Sequence, residues 1–190
     1  MARRHPRGEL SGKRVAFLVA NEGVEQIELT DPWQAIEQAG GECMLLASQA
    51  GQVQAFNHLT KAAKFPVHKA VPEARVREFA GLLLPGGVAN PDRLRTDVKA
   101  VAFVRGFAAA GKPVAAICHA PWTLIEAGVV SGKRLTSWPS LRTDIRNAGG
   151  EWVDEEVVRS PENGYLLVTS RGPNDLPAFC REAVRAFAGT

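Results

Sequence analysis

The sequence predicts an α/β protein: one doubly wound sandwich with a mostly parallel sheet and helices on both faces. Three observations predict it. Apolar runs of strand length alternate with stretches of helical periodicity along the whole chain. A strand, a helix and a second strand follow one another between residues 14 and 47, a β-α-β unit whose strands must be parallel and whose crossover must be right-handed. Three turns, Asn21 to Glu25, Pro85-Gly86-Gly87 and Cys118-His119, follow apolar runs. In such folds ligands bind beyond the carboxyl ends of strands.

Arg14 to Ala20 is the first apolar run. A helix follows with Leu29, Trp33 and Ile36 on one face; Pro32 either opens it behind an Asp31 cap or kinks it. Gly40-Gly41 ends it, and Glu42 to Ala47 is the next strand. Residues 52–69 read as short strands or irregular structure, and 72–77 as a helical turn. Phe79 to Leu84 is a buried strand that runs into the Gly-Gly turn. Asp97 to Ala110 has helical periodicity, with Val98, Val101, Val104 and Phe107 expected to face inward. Pro113 to Ile117 is a short buried strand, and Pro121 to Gly128 a short helix that its glycine stops. Then come a strand at 134–137, a helix at 141–147, strands near 151–158 and 165–170, and a closing helix at 177–187.

Composition places limits on function. The chain has 190 residues, 45% hydrophobic and 23% charged, as expected of one globular domain. The net charge of +3 is local: the first fourteen residues carry +4 and the rest −1. A basic tail over residues 1–12 on a neutral body (13–190) is expected to be solvated. It argues against a nucleic-acid-binding face. No apolar run approaches a membrane span, and no h-region of a secretory signal is present. Three cysteines, Cys43, Cys118 and Cys180, with no C-x-x-C spacing, indicate reduced, cytoplasmic usage without disulfide or metal site. Cys43 and Cys180 are expected to be packing residues.

The chemistry concentrates at Cys118. A cysteine between a strand and a helix start occupies a sharp turn, the geometry of a nucleophile elbow. Free N–H groups and the helix dipole there favour thiolate. The same pattern fits a buried structural cysteine. His119 is the best candidate base among four histidines, and none lies after it. That excludes a triad whose histidine comes from far downstream. The Gly86-Gly87 turn fits a tight turn alone, and also a source of backbone donors: Gly87 with His119 could form an oxyanion hole. Acid candidates are Glu22, Glu25, Glu28 and Asp92. A glutamate held against Cys118 in an apolar pocket would have a raised pKa and could donate to the thiolate.

These residues together resemble the PfpI intracellular cysteine-protease and general-stress family, within the superfamily of the parkinsonism-associated deglycase and class I glutamine amidotransferases. The matching stretches are Glu25 to Leu29, Leu82 to Gly87, Gly111 to Pro121, Asn147 to Gly149, Val168 to Arg171 and Asn174 to Phe179. The resemblance implies a flavodoxin-like fold, with Cys118 as nucleophile, Glu25 as protonated partner of the thiolate and His119 as base. Asp92 would polarise the histidine of a neighbouring subunit, and backbone groups at Gly86-Gly87 and His119 would receive an oxyanion. It implies a homodimer or larger ring acting on small carbonyl compounds, glycation adducts or peptides, without cofactor or metal. A redox-sensing role for Cys118 is the alternative. Two departures stand out: Ala120 replaces a usual glycine, and residues 52–69 do not match. Trp122 and Trp138 could line the substrate pocket, although tryptophan in a small α/β protein is more often core.

Overall fold

The structure, a computed structural model, describes residues 8–190. A seven-stranded sheet forms its centre. The strands in chain order are β1 (Arg14–Val19), β2 (Glu22–Glu25), β3 (Glu42–Ala47), β4 (Gln52–Asn57), β5 (Thr60–Pro66), β6 (Lys69–Ala70), β7 (Gly81–Leu84), β8 (Val114–Ile117), β9 (Arg134–Leu135), β10 (Glu151–Trp152), β11 (Val157–Ser160) and β12 (Leu167–Ser170). The central sheet runs β11-β12-β8-β7-β1-β3-β6. Every neighbouring pair in it is parallel except β11 with β12. The helices are α1 (Gln26–Gln38), α2 (Ala89–Leu94), α3 (Val98–Ala109), α4 (Pro121–Glu126), α5 (Arg142–Asn147) and α6 (Leu176–Ala188). Among the described residues no helix is long and apolar enough to cross a membrane.

Alternation along the strands divides the core in two. Val15, Phe17 and Val19 face α1 and α6, and Leu83, Ala115 and Ile117 join them. Ala16, Leu18, Leu82, Leu84, Val114 and Ala116 face the opposite layer with α3 and α4. A strand whose successive side chains point to opposite faces must be apolar at every position when both faces are covered. That is why these strands read as continuous runs. Each fully buried Leu or Phe contributes about 1.5–3 kcal/mol relative to exposure.

Several expectations are corrected. The tail expected over residues 1–12 overlaps the fold: residues 1–7 lie outside the described residues, but Leu10 is fully buried and its N–H donates to Ala39 O at 2.9 Å. Val98 is 78% exposed, because Asp97 caps α3 through Lys99 and Ala100 N–H and places Val98 in the first turn, off the inward stripe. Pro32 does not open α1 behind Asp31; it lies buried inside the helix, and Glu25 occupies the N-cap position. The short strands expected over residues 52–69, by contrast, are present: β4 and β5 form an antiparallel hairpin, and β2 pairs parallel with β4.

Chain order moves outward from β1 through β3 to β6, then returns to β7 on the other side of β1. The carboxyl ends of β1, β7 and β8 therefore converge at the reversal of strand order. A crevice opens there in doubly wound folds.

Candidate active site

Cys118 follows β8 directly and has φ +64°, a left-handed conformation that costs of order 1–3 kcal/mol in a non-glycine residue. Its surroundings enforce it. Cys118 N–H donates to Ser170 O at 3.1 Å, Cys118 O accepts Trp138 N–H at 2.9 Å, and Ala120 N–H closes the turn onto Ile117 O at 3.1 Å. Pro121 then starts α4, where its missing N–H is no loss. The elbow presents the sulfur at the floor of an open cavity of about 740 Å³. Only 6% of Cys118 is exposed.

Glu28, and not Glu25, is the acid against the sulfur. Its Oε2 accepts Gly86 N–H at 2.8 Å, while Oε1 has no conventional partner and is left for the thiol. Burial pushes the Glu28 pKa up to about 7, helped by the charge of Glu25 and opposed by the thiol and the Gly86 and Gly87 N–H groups. Glu25 instead ends β2, and its Oε2 accepts His58 N–H at 2.9 Å. The signal for Glu28 was present in the sequence: Glu28, Pro32 and Ile36 lie on one helical stripe, and all three are buried.

Gly86 is corrected as an oxyanion donor, since its N–H is already taken by Glu28. It acts as a spacer. A Cβ there would lie 2.6 Å from Cys118 Cβ, 2.6 Å from Glu28 Oε2 and 2.8 Å from Ile117 O. Gly87 has φ +81°, and a Cβ would reach 2.4 Å from Gly23 O. The N–H groups of Gly87 and His119 both face the Cys118 sulfur, and neither donates to another backbone group. Asn90, unremarked in the sequence, ties the turn down: it donates to Pro85 O and Gly86 O and accepts Ala20 N–H at 2.7 Å.

His119 Nδ1 lies 3.1 Å from Cys118 Sγ, and Nε2 lies 3.4 Å from Ser140 Oγ. The ring stacks on Trp138 at 5.8 Å and tilts against Trp122 at 5.3 Å. Burial lowers its pKa to about 4, so the imidazole is neutral at physiological pH and can accept a proton. Both tryptophans line the cavity; Trp122 also packs against the core, and Trp138 is 43% exposed. Asp92 also lines the cavity, but its exposed carboxylate lies 4.0 Å from Arg95, and among the described residues no hydrogen bond or ion pair joins it to His119.

The thiol is not simply acidified by the helix start, as the sequence suggested. Burial and an ionised Glu28 both push its pKa up, whereas the Gly87 and His119 N–H groups pull it down. A protonated Glu28 removes the adverse charge and turns the same carboxyl into a donor to sulfur. Among the described residues no group of histidines, cysteines and acids could hold a metal ion.

Glutamine at position 28 is expected to change how stability varies with pH. The folded chain keeps the Glu28 proton up to about pH 7, whereas the unfolded chain releases it near 4.5. Folding is therefore weakened as pH rises through that window, by up to about 3 kcal/mol. His119 tilts stability the other way between its lowered pKa of about 4 and its ordinary value of 6.5, equally in both proteins. In urea unfolding, Glu28→Gln should match the unmodified protein at pH 5 and exceed its stability at pH 8 by about 2–3 kcal/mol. An unchanged difference between the two pH values would contradict the burial of a protonated acid.

The comparisons with known proteins agree with this architecture. The DJ-1/PfpI family profile matches residues 13–186. The chain is 43% identical over 173 residues to protein/nucleic acid deglycase 2 of Escherichia coli, covering 91% of this chain and 96% of that protein. It is 38% identical to general stress protein 18 of Bacillus subtilis, covering 91% and 96%. The crystal structure of Drosophila melanogaster DJ-1beta superposes with a TM-score of 0.82 at 27% identity, covering 95% of this chain and 92% of that one. On this evidence the chain belongs to the DJ-1/PfpI family.

Proposed function

We propose that the protein is a cysteine-dependent hydrolase of reactive carbonyl compounds and of the early glycation adducts they form. The observation that carries this reading is one sulfur flanked by a buried acid with a pKa of about 7, a neutral imidazole 3.1 Å away and two N–H groups that donate to no other backbone group. Relatives named deglycase support the substrate class.

The chemistry follows from the residues. Cys118 passes its proton to Glu28 or His119 and the thiolate adds to the aldehyde carbon of methylglyoxal. The new oxyanion is received by the N–H groups of Gly87 and His119. His119 moves a proton from the aldehyde carbon to the neighbouring carbonyl carbon, leaving a lactoyl thioester. Water hydrolyses it to lactate and frees the thiol. For an adduct on an amine, protonation of the nitrogen first releases the amine and leaves the aldehyde. The sum is adduct plus water giving amine plus lactate.

Self-association belongs to the same reading. Asp92 stands exposed at the cavity rim without a histidine of its own chain, and a second copy could supply one. The test of the function is lactate formation from methylglyoxal by the purified protein, with the serine variant at position 118 as control. Absence of lactate at any protein concentration would overturn it.

A further inference from the structure

His119 is held in place more by packing than by hydrogen bonds. Its ring meets the Cys118 sulfur and makes one long contact, 3.4 Å, with Ser140 Oγ. The indoles of Trp138 and Trp122 supply the walls on either contact. Trp138 is fixed locally: its N–H donates to Cys118 O, and a Cβ on Gly172 would come within 3.1 Å of its ring. Trp122 is fixed from outside the site. It lies in the first turn of α4, which packs against α2 and α5. Its Nε1–H donates to Oδ2 of Asp144 on α5 at 2.8 Å, and the Arg95 guanidinium, just past α2, lies 5.3 Å from the ring centroid. Asp144 itself is exposed and is not part of the cavity lining.

An indole can turn about its side-chain bonds. A carboxylate on its N–H selects one orientation, and a hydrogen bond to a charged acceptor is stronger than a neutral one. Arg95 adds a cation over the same ring. In the orientation so selected, the indole closes on the imidazole at 5.3 Å, and only 7% of His119 is exposed. Burial is what lowers the His119 pKa, so a change that lets water reach the ring must raise it. The charged and titratable groups on the elements around the imidazole are Cys118 at the elbow, Glu28 of α1, Asp92 and Arg95 at α2, and Asp144 of α5.

We propose that Asp144 is a positioning residue of the active site: by holding the Trp122 indole it keeps the His119 imidazole against Cys118 and closed to water. The acid acts through the indole and needs no contact with substrate or with the reacting atoms. The proposal rests on the reading of His119 as the base, but its test requires no turnover. It also predicts a sign. Loss of a negative charge near a histidine disfavours the imidazolium and lowers the pKa. Loss of the indole's anchor admits water, favours the imidazolium and raises it. Removing Asp144 does both, and the second effect wins, because solvent screens the exposed carboxylate.

The experiment follows the imidazole nitrogens by NMR from about pH 8 down to about pH 5, across the range where an ordinary histidine titrates. The chain has four histidines, and the signals absent from His119→Gln identify the one concerned. In the unmodified protein the His119 signals should stay near the neutral position, since its pKa lies at about 4. In Asp144→Ala they should move toward the charged position, with a midpoint raised by about one unit or more. Asp144→Asn keeps an acceptor for the indole and should show no rise. Trp122→Phe keeps a ring but offers Asp144 no N–H. It should raise the midpoint, and adding Asp144→Ala to it should raise it no further. No rise in Asp144→Ala or in Trp122→Phe, an equal rise in Asp144→Asn, or a further rise in the double variant would each overturn the assignment. Because Asp144 is exposed, its variants should keep the fold, which unchanged titrations of His58 and His68 would verify. No product is measured, so failure here is distinct from failure to form lactate.

Discussion

Replacing Cys118 by serine is expected to lower lactate formation from methylglyoxal at least about a thousandfold, roughly 4 kcal/mol of transition-state stabilisation. The hydroxyl is a much weaker acid than a thiol, so neither Glu28 nor neutral His119 can hold its proton to a useful extent. The variant should fold: oxygen is smaller than sulfur, and the left-handed backbone of the elbow is held by Ser170 O and Trp138 N–H, not by the side chain. Residual activity near that of the unmodified protein would place the chemistry elsewhere. Cys43 and Cys180 are unsuited to replace it: neither lines the cavity, and the Cys43 thiol donates to Trp33 O.

Gly86→Ala should be strongly destructive to both fold and site. The new carbon would sit 2.6 Å from both Cys118 Cβ and Glu28 Oε2 and 2.8 Å from the Ile117 carbonyl. Two of these three belong to the β8–elbow backbone and its first side-chain carbon, so rotation of a flexible tip gives no relief. The turn must move, and moving it breaks the Gly86 N–H bond that orients Glu28. A cost of about 3 kcal/mol is expected, a fall in Tm of roughly 6–12 °C for a chain of this size. Activity should fall with it even below the new Tm. A methyl tolerated within 2 °C, with full activity, would show that the contact between turn and elbow is looser than described.

Much of this was legible in the sequence because the strands are buried on both faces. Continuous apolar runs at 14–19, 42–47, 81–84 and 114–117 leave little choice of element, and their order determines the crossover. The elbow was legible for the same reason: a reactive residue type follows a strand and precedes a proline. What the sequence did not reveal depends on phase or on distance. Glu25 and Glu28 are three residues apart, and which one points at the sulfur depends on where β2 ends and α1 begins. That boundary is fixed by pairing with β4, a segment whose polar, lysine-bearing partner strand gives a weak pattern. Ser140 reaches His119 from 21 residues away, and Asn90 reaches Ala20 from 70. Neither pairing leaves any local signature. The tryptophans could be read either way because size favours the core, whereas here Trp138 stacks on an imidazole, Trp122 tilts against it, and both line the cavity.

The most direct measurement is the pH dependence of Cys118 alkylation, in the unmodified protein and in Glu28→Gln. If sulfur and carboxyl share one proton, Cys118 should react with a midpoint below the ~8.5 of a free thiol. Removing the acid should raise that midpoint by about one unit, because the sulfur loses the group that takes its proton while its burial remains. If Glu28 instead sat ionised beside a thiol, its removal would lower the midpoint. A fall in Glu28→Gln, or a midpoint above 8.5 in the unmodified protein, would contradict the account.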